Sequence, residues 1–127
     1  MERKLISSGA PWEEKVGYSR AVKVGEHVFV AGTTAVDGND VVGLGSAYTQ
    51  TRFILERIKT ALEEAGANMS HVVRTRMFLT DIANWEEVGK AHGEFFADIR
   101  PAATMVEVSG LINPDMLIEI EVDAIIS

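Results

Sequence analysis

The sequence predicts an α+β domain, a six-stranded mixed sheet with two helices on one face, in the order β-β-β-α-β-α-β-β. Two observations carry this reading: short segments of β pattern bounded by turn residues, and two longer segments whose apolar residues recur every three or four positions. A third, the mixture of apolar and charged residues on the sheet face that the helices leave open, bears on how the domain is used.

The first third supplies three strands, KLIS (4–7), SRAVKV (19–24) and EHVFVAG (26–32), the last two joined by a tight hairpin at Gly25 and Glu26. Gly32 ends the third. TTAVDGNDVVGLGS (33–46) carries an Asp-Gly turn signal at 37 and 38 and further glycines at 43 and 45, and reads as an exposed loop. Ser46 then caps a helix whose apolar face is Thr51, Ile54, Leu55, Ile58, Ala61, Leu62 and Ala65, with Gly66 as its stop.

HVVRTRMFLTD (71–81) is a longer strand. Asn84 and Glu87 form a capping box for the second helix, with Trp85, Val88, His92, Phe95 and Phe96 inward, and Pro101 blocks its continuation. AATMVEVSG (102–110) and MLIEIEVDAII (116–126) are the last strands, joined through the proline-centred turn LINPD.

Side chains alternate along a strand, so Ile118, Ile120, Val122 and Ala124 face one way while Leu117, Glu119, Glu121 and Asp123 face the other. Val72, Arg74, Arg76 and Phe78 share one face of their strand; Ala103, Met105, Glu107 and Ser109 share one of theirs, and both sets are assigned to the open side. Burying an apolar side chain is worth roughly 1.5–3 kcal/mol. A face carrying Met105, Phe78, Val72 and Leu117 among charges therefore predicts a homo-oligomer that covers it, with a polar cleft where subunits meet.

At 127 residues the chain is one domain, 1–127, large enough to bury roughly two thirds of its unfolded surface. Absence of cysteine excludes disulfides, a thiolate nucleophile and cysteine-ligated zinc. MERKLISSGA is charged at once and has no continuous apolar stretch, so a cytoplasmic location without signal peptide or membrane helix is expected. Nineteen acidic against twelve basic side chains give a net charge of −7, which opposes attraction to a phosphate backbone.

His27, His71 and His92 lack metal-ligand spacing, and no metal site is expected. His92 lies on the apolar stripe of the second helix and reads as a hydrogen-bonded core histidine. GLGS (43–46) lacks the lysine and spacing of a phosphate loop and reads as loop and cap. Glu119 and Glu121 stand beside strands bearing arginines. Either they form cross-strand ion pairs, or one of them lies in an intersubunit cleft as a general base.

VFVAGTTA, RTRMFLTDI, the FF that ends the second helix, RPAATMVEV and IEIEVDAII, in this order and at these separations, resemble the YjgF/RidA family, also labelled translation inhibitors or L-PSP endoribonucleases. The resemblance spans nearly the whole chain. It implies a chorismate-mutase-like fold, a homotrimer with three intersubunit clefts, a small-molecule ligand, and no metal or organic cofactor. For the best-known members it implies hydrolysis of reactive 2-imino and enamine acids to 2-keto acids and ammonia.

Carried over by resemblance, Glu119 helps position the attacking water, Gly32 is the glycine that ends the third strand, and Tyr18 is the rim aromatic; Thr33, next to Gly32, is a further substrate-binding candidate. Ala103 and Met105 form a wall. The family's imine deaminases read proline, alanine, arginine there, and that arginine clamps the substrate carboxylate; here Pro101 and Ala102 are followed by Ala103. A methyl group cannot supply a bidentate anion contact. Arg100, at the opposite strand parity, does not replace it. Arg76 either pairs with Glu119 or restores an anion site from another direction.

Two readings follow. One is a divergent deaminase or hydrolase of a small imine, enamine or amide that does not use the usual clamp; the other is a non-catalytic trimer binding a small molecule or a protein in the same clefts. The sequence leaves open whether residues 10–18, with PWEEK, cover the cleft.

Overall fold

A computed structural model describes residues 2–127. In chain order the elements are β1 (Arg3–Ile6), α1 (Pro11–Val16), β2 (Ala21–Val24), β3 (His27–Thr33), β4 (Val36–Asp37), β5 (Asp40–Val41), α2 (Ala47–Glu64), β6 (Val72–Leu79), α3 (Trp85–Phe96), β7 (Ala102–Glu107) and β8 (Ile118–Ile125). Six strands make one sheet in the order β1-β2-β3-β8-β6-β7. Only β6 and β7 run parallel, so the sheet is mixed as expected.

The core lies between this sheet and the helix α2, which packs on β3, β8 and α3. Ile54, Leu55, Ile58 and Leu62 are fully buried, as are Ile118, Ile120 and Val122 on β8 and Val28 on β3. Every residue expected on the apolar face of α2 is buried. Ser46 caps α2 by accepting the Thr49 N–H at 3.1 Å, and Gly66 follows its end at φ +86°, a conformation that costs a glycine little.

Gln50 is buried on α2 and its amide is fully used. It donates to the carbonyls of Gly43 at 3.2 Å and Asp115 at 3.0 Å, and accepts the Leu117 N–H at 2.9 Å. These bonds tie the turn before β8 to the helix, and so fix where β8 enters the sheet.

Several details differ from the sequence reading. PWEEK forms the short helix α1, started by proline at its first position. The expected loop holds a small hairpin, β4 with β5, about the Asp37-Gly38 turn. Asn84 makes no side-chain cap; instead Asp81 accepts the Ala83 N–H at 2.9 Å and caps a single 3₁₀ turn, Ile82–Asn84, leading into α3. Trp85, expected inward, is 56% exposed.

Two face assignments are also corrected. Val72 is buried with the core because a register irregularity between Val72 and Arg74 reverses the alternation at the start of β6. On β7 the parallel register pairs Ala103 with Thr75, Met105 with Met77 and Glu107 with Leu79, all core-facing residues of β6. Ala103, Met105 and Glu107 therefore stand on the helix side, and Ala102, Thr104 and Val106 on the open side. Thr75 itself bonds His92 Nε2 through Oγ1 at 2.9 Å, and burial lowers the His92 pKa. That is the hydrogen-bonded core histidine the helical stripe predicted.

The open face is as mixed as expected. One row across the sheet reads Leu5, Val22, Phe29, Asp123, Arg74 and Ala102, and Leu5 and Phe29 are 61% and 47% exposed.

Candidate functional site

The site is built where β3 loses a side chain. Between Val30 and Thr33 the register of β3 against β8 shifts, and Gly32 lies in the shifted stretch. Glu119 of β8 leans over it: a Cβ built on Gly32 would lie 2.5 Å from Glu119 Oε2 and 3.0 Å from its Cδ. Glycine is required there for close approach, not for backbone conformation.

From the other side comes Arg20, immediately before β2. Its N–H donates to the Ile6 carbonyl at 2.8 Å and its carbonyl accepts the Ala31 N–H at 3.0 Å, which places it beside β3 at the open-face parity of Val22. Its Nη2 donates to the Gly32 carbonyl at 2.7 Å, and its guanidinium carbon lies 5.8 Å from the centre of the Tyr18 ring. The Nε is buried with no acceptor among the described residues.

Tyr18 is held by α1. Its N–H, and that of Gly17, donate to the Glu13 carbonyl at 2.9 and 3.0 Å, and Gly17 turns the chain at φ +88°. Glu13 is only 6% exposed; its Oε2 accepts the Ser8 N–H at 3.2 Å and the Ser8 hydroxyl. Burial pushes the Glu13 carboxyl up, but hydrogen bonds from Ser8 and Ser7 with the nearby Arg20 charge outweigh it, and the pKa is lowered. Residues 8–18 thus form a strap clasped by a buried carboxylate, which sets Tyr18 at the rim.

Beside Glu119 a groove of about 710 Å³ runs along the open face, lined by Glu13, Tyr18, Phe29, Ala31, Glu121 and Asp123 among others. Glu119, Gly32 and Arg20 are not among the residues that line it. The Glu119 pKa is raised, first by burial, against which Arg20 pulls it down and Glu121 adds a further push upward. A partly buried carboxylate whose pKa is raised holds a proton more readily than a free one, which suits a group that takes and returns protons.

Of the residues singled out in the sequence, Gly32 and Glu119 meet, and Tyr18 is linked to them through Arg20. Thr33 does not join them: it is 4% exposed, faces the core opposite Ile120, and its hydroxyl donates to the Ala31 carbonyl at 2.9 Å. Arg76 does not pair with Glu119, whose cross-strand neighbour is Phe78. It stands opposite Glu121 and makes ion pairs with Glu121 and Asp123, each at 3.3 Å. Ala103 and Met105 lie on the other side of the sheet and do not reach Glu119 within one chain.

Arg20 and Glu13 were missed. The signal for Arg20 was its parity, since Tyr18, Arg20 and Val22 alternate along one face; nothing in the spacing marked Glu13. No cluster of acidic and histidine side chains suited to a metal occurs among the described residues, and no helix there is long and apolar enough to cross a membrane.

The sequence profile of the family described as endoribonuclease L-PSP matches residues 10–126. An uncharacterized protein of Streptomyces coelicolor is 40% identical over 121 residues, 95% of this chain and 90% of that one. The 3-aminoacrylate deaminase RutC of Acinetobacter baylyi is 41% identical over 104 residues, 81% of this chain and 82% of its own. Among solved structures, a YjgF/YER057c/UK114 family member from Mycobacterium tuberculosis superposes with a TM-score of 0.88 at 50% identity, covering 98% of this chain and 100% of that one.

Proposed function

The chain belongs to the endoribonuclease L-PSP family, the YjgF/RidA proteins, and on that premise we propose that it is a homotrimer that binds a small metabolite in intersubunit clefts and hydrolyses a carbon–nitrogen bond of a small imine or enamine. The observation that carries this reading is the partly buried Glu119 carboxylate laid over Gly32. The similarity to a 3-aminoacrylate deaminase supports the reaction class. Exposed Leu5 and Phe29 beside the groove support an assembly that covers the open face.

The chemistry asks little of the protein beyond placement and one movable proton. Water adds to the imine carbon as Glu119 takes its proton; the C=N electron pair moves to nitrogen, which becomes protonated, giving a carbinolamine. Collapse to C=O breaks the C–N bond and expels ammonia, with Glu119 passing the proton between oxygen and nitrogen. An enamine reaches the same imine by protonation at carbon. Recognition of the ligand does not use the family's arginine, because position 103 is alanine.

The test is ammonia release from 2-iminopropionate and 2-iminobutyrate generated in situ. We expect release by the wild type and a loss of about 10²–10⁴-fold in Glu119→Ala. A second reading, a non-catalytic trimer that binds a small molecule or a protein in the same clefts, is favoured by Ala103 alone. No release by the wild type, but release by Ala103→Arg, would show a competent scaffold whose natural ligand is not one of these 2-imino acids.

A further inference from the structure

Resting on that reading of the cleft, we propose that Arg20 is its anion-binding residue, in place of position 103, and that the ligand is a small monocarboxylate whose reactive carbon lies over Glu119. Among the described residues Arg20 is the guanidinium that converges on Tyr18, Gly32 and the surroundings of Glu119. Its backbone is fixed from both sides by Ile6 and Ala31, so the charge is delivered to one place.

The guanidinium has donors to spare. It carries five N–H donors, of which one on Nη2 meets the Gly32 carbonyl and the one on Nε is buried without an acceptor. None of the ion pairs of the described residues includes it. Three of the carboxylates that line the groove are already engaged: Glu121 and Asp123 with Arg76, and Glu13 with Ser8. Arg20 is therefore a cation whose charge no contact ion pair cancels, beside a groove in which Glu14 is the lining carboxylate left without a partner among the described residues.

Glu119 is near enough to feel the Arg20 charge but outside ion-pair distance of it. That separation suits a ligand held at one end and attacked at the other. In a 2-imino acid the carboxylate is bonded directly to the imine carbon. Seating the carboxylate on a planar guanidinium fixes the plane of the group, and turns the neighbouring carbon toward a water on Glu119.

The test uses 2-oxobutyrate, the stable keto acid of this class, with its uncharged amide 2-oxobutanamide as control. Binding is measured by calorimetry on wild type, Arg20→Gln, Arg20→Lys and Arg76→Gln, each checked by thermal melting. The keto acid is expected to bind the wild type and to bind Arg20→Gln about 10–100-fold more weakly. Arg20→Lys should recover part of the loss, since the charge returns without the fork, and the amide should not distinguish wild type from Arg20→Gln.

Equal affinity of wild type and Arg20→Gln for the keto acid would overturn the proposal. So would absence of binding to the wild type, a loss in Arg76→Gln instead, or a loss shared equally by the amide, which would mark structural damage. Ammonia release separates this from the reaction itself. Keto-acid binding through Arg20 without turnover sinks the reaction and leaves the anion site; turnover indifferent to Arg20→Gln does the reverse.

Discussion

Replacing Gly32 by alanine tests the geometry of the site with a single methyl group. The new Cβ would stand 2.5 Å from Glu119 Oε2, where ordinary contact begins at 3.4 Å, so the carboxylate must retreat by roughly 1 Å. The obstacle is the far end of a flexible side chain, and Gly32 is not among the positive-φ glycines, so its backbone tolerates alanine. Stability should change by less than about 1 kcal/mol. A 1 Å misplacement of a reacting group costs on the order of 10²-fold in rate. The expected result is therefore a kcat/KM for ammonia release from 2-iminobutyrate about 10²-fold below wild type, with nearly unchanged thermal melting. Full activity in Gly32→Ala would refute the assignment of Glu119, because no carboxylate could be both displaced and in use.

The Glu119 pKa is raised, so kcat/KM should fall as pH drops through a value above the usual carboxylate range, and this acid limb should move to higher pH in Arg20→Gln, where the opposing charge is gone. For stability the folded chain holds the Glu119 proton between about pH 4.3 and the raised pKa, where the unfolded chain has lost it. Stability therefore declines as pH rises through that window, and Glu119→Gln should remove this part of the decline in urea melts. Glu13 behaves oppositely, because its folded pKa is lowered: its contribution is present above the unfolded pKa and is lost as pH falls through the folded one. Glu13→Ala should cost about 1–3 kcal/mol by calorimetry, with activity falling as Tyr18 is released. Phe29→Glu sets a carboxylate opposite Asp123 on the exposed face; if this face is the interface of the proposed trimer, light scattering finds a trimeric wild type and a monomeric variant, and a variant that stays trimeric would show that the interface lies elsewhere.

The long-range frame was legible because each element buries one periodic face. Ile54, Leu55, Ile58 and Leu62 repeat at helical spacing, and Ile118, Ile120 and Val122 alternate, so α2 and β8 could be placed and faced correctly. β7 could not, because alternation gives two sets of side chains without saying which is inside. On this edge strand Ala102, Ala103 and Thr104 are all exposed. Only the parallel pairing with β6 decides it. Val72 failed for a related reason, since a bulge leaves no mark in composition.

The site was half legible. Glu119, Gly32 and Tyr18 are singled out by resemblance, whereas Arg20 reaches the Gly32 carbonyl from across a strand. Its meeting with Gly32 and the Glu119 surroundings depends on β3 lying between β2 and β8, and on a missing side chain at position 32. Arg76 was misassigned by one step of two residues, the smallest error that strand alternation conceals.

The place of β8 has a consequence for how the protein is made. It docks between β3 and β6, pairing residue 27 with residue 125, so these joints close only after most of the intervening chain has been brought together. Such non-local pairings form slowly, because loop-closure entropy is lost before the contacts repay it. Glu119 rides on that strand, and its seat over Gly32 exists only once the strand is home. If Glu119 acts as proposed, intermediates lacking β8 are chemically silent, and the first turnover reports completion of the sheet.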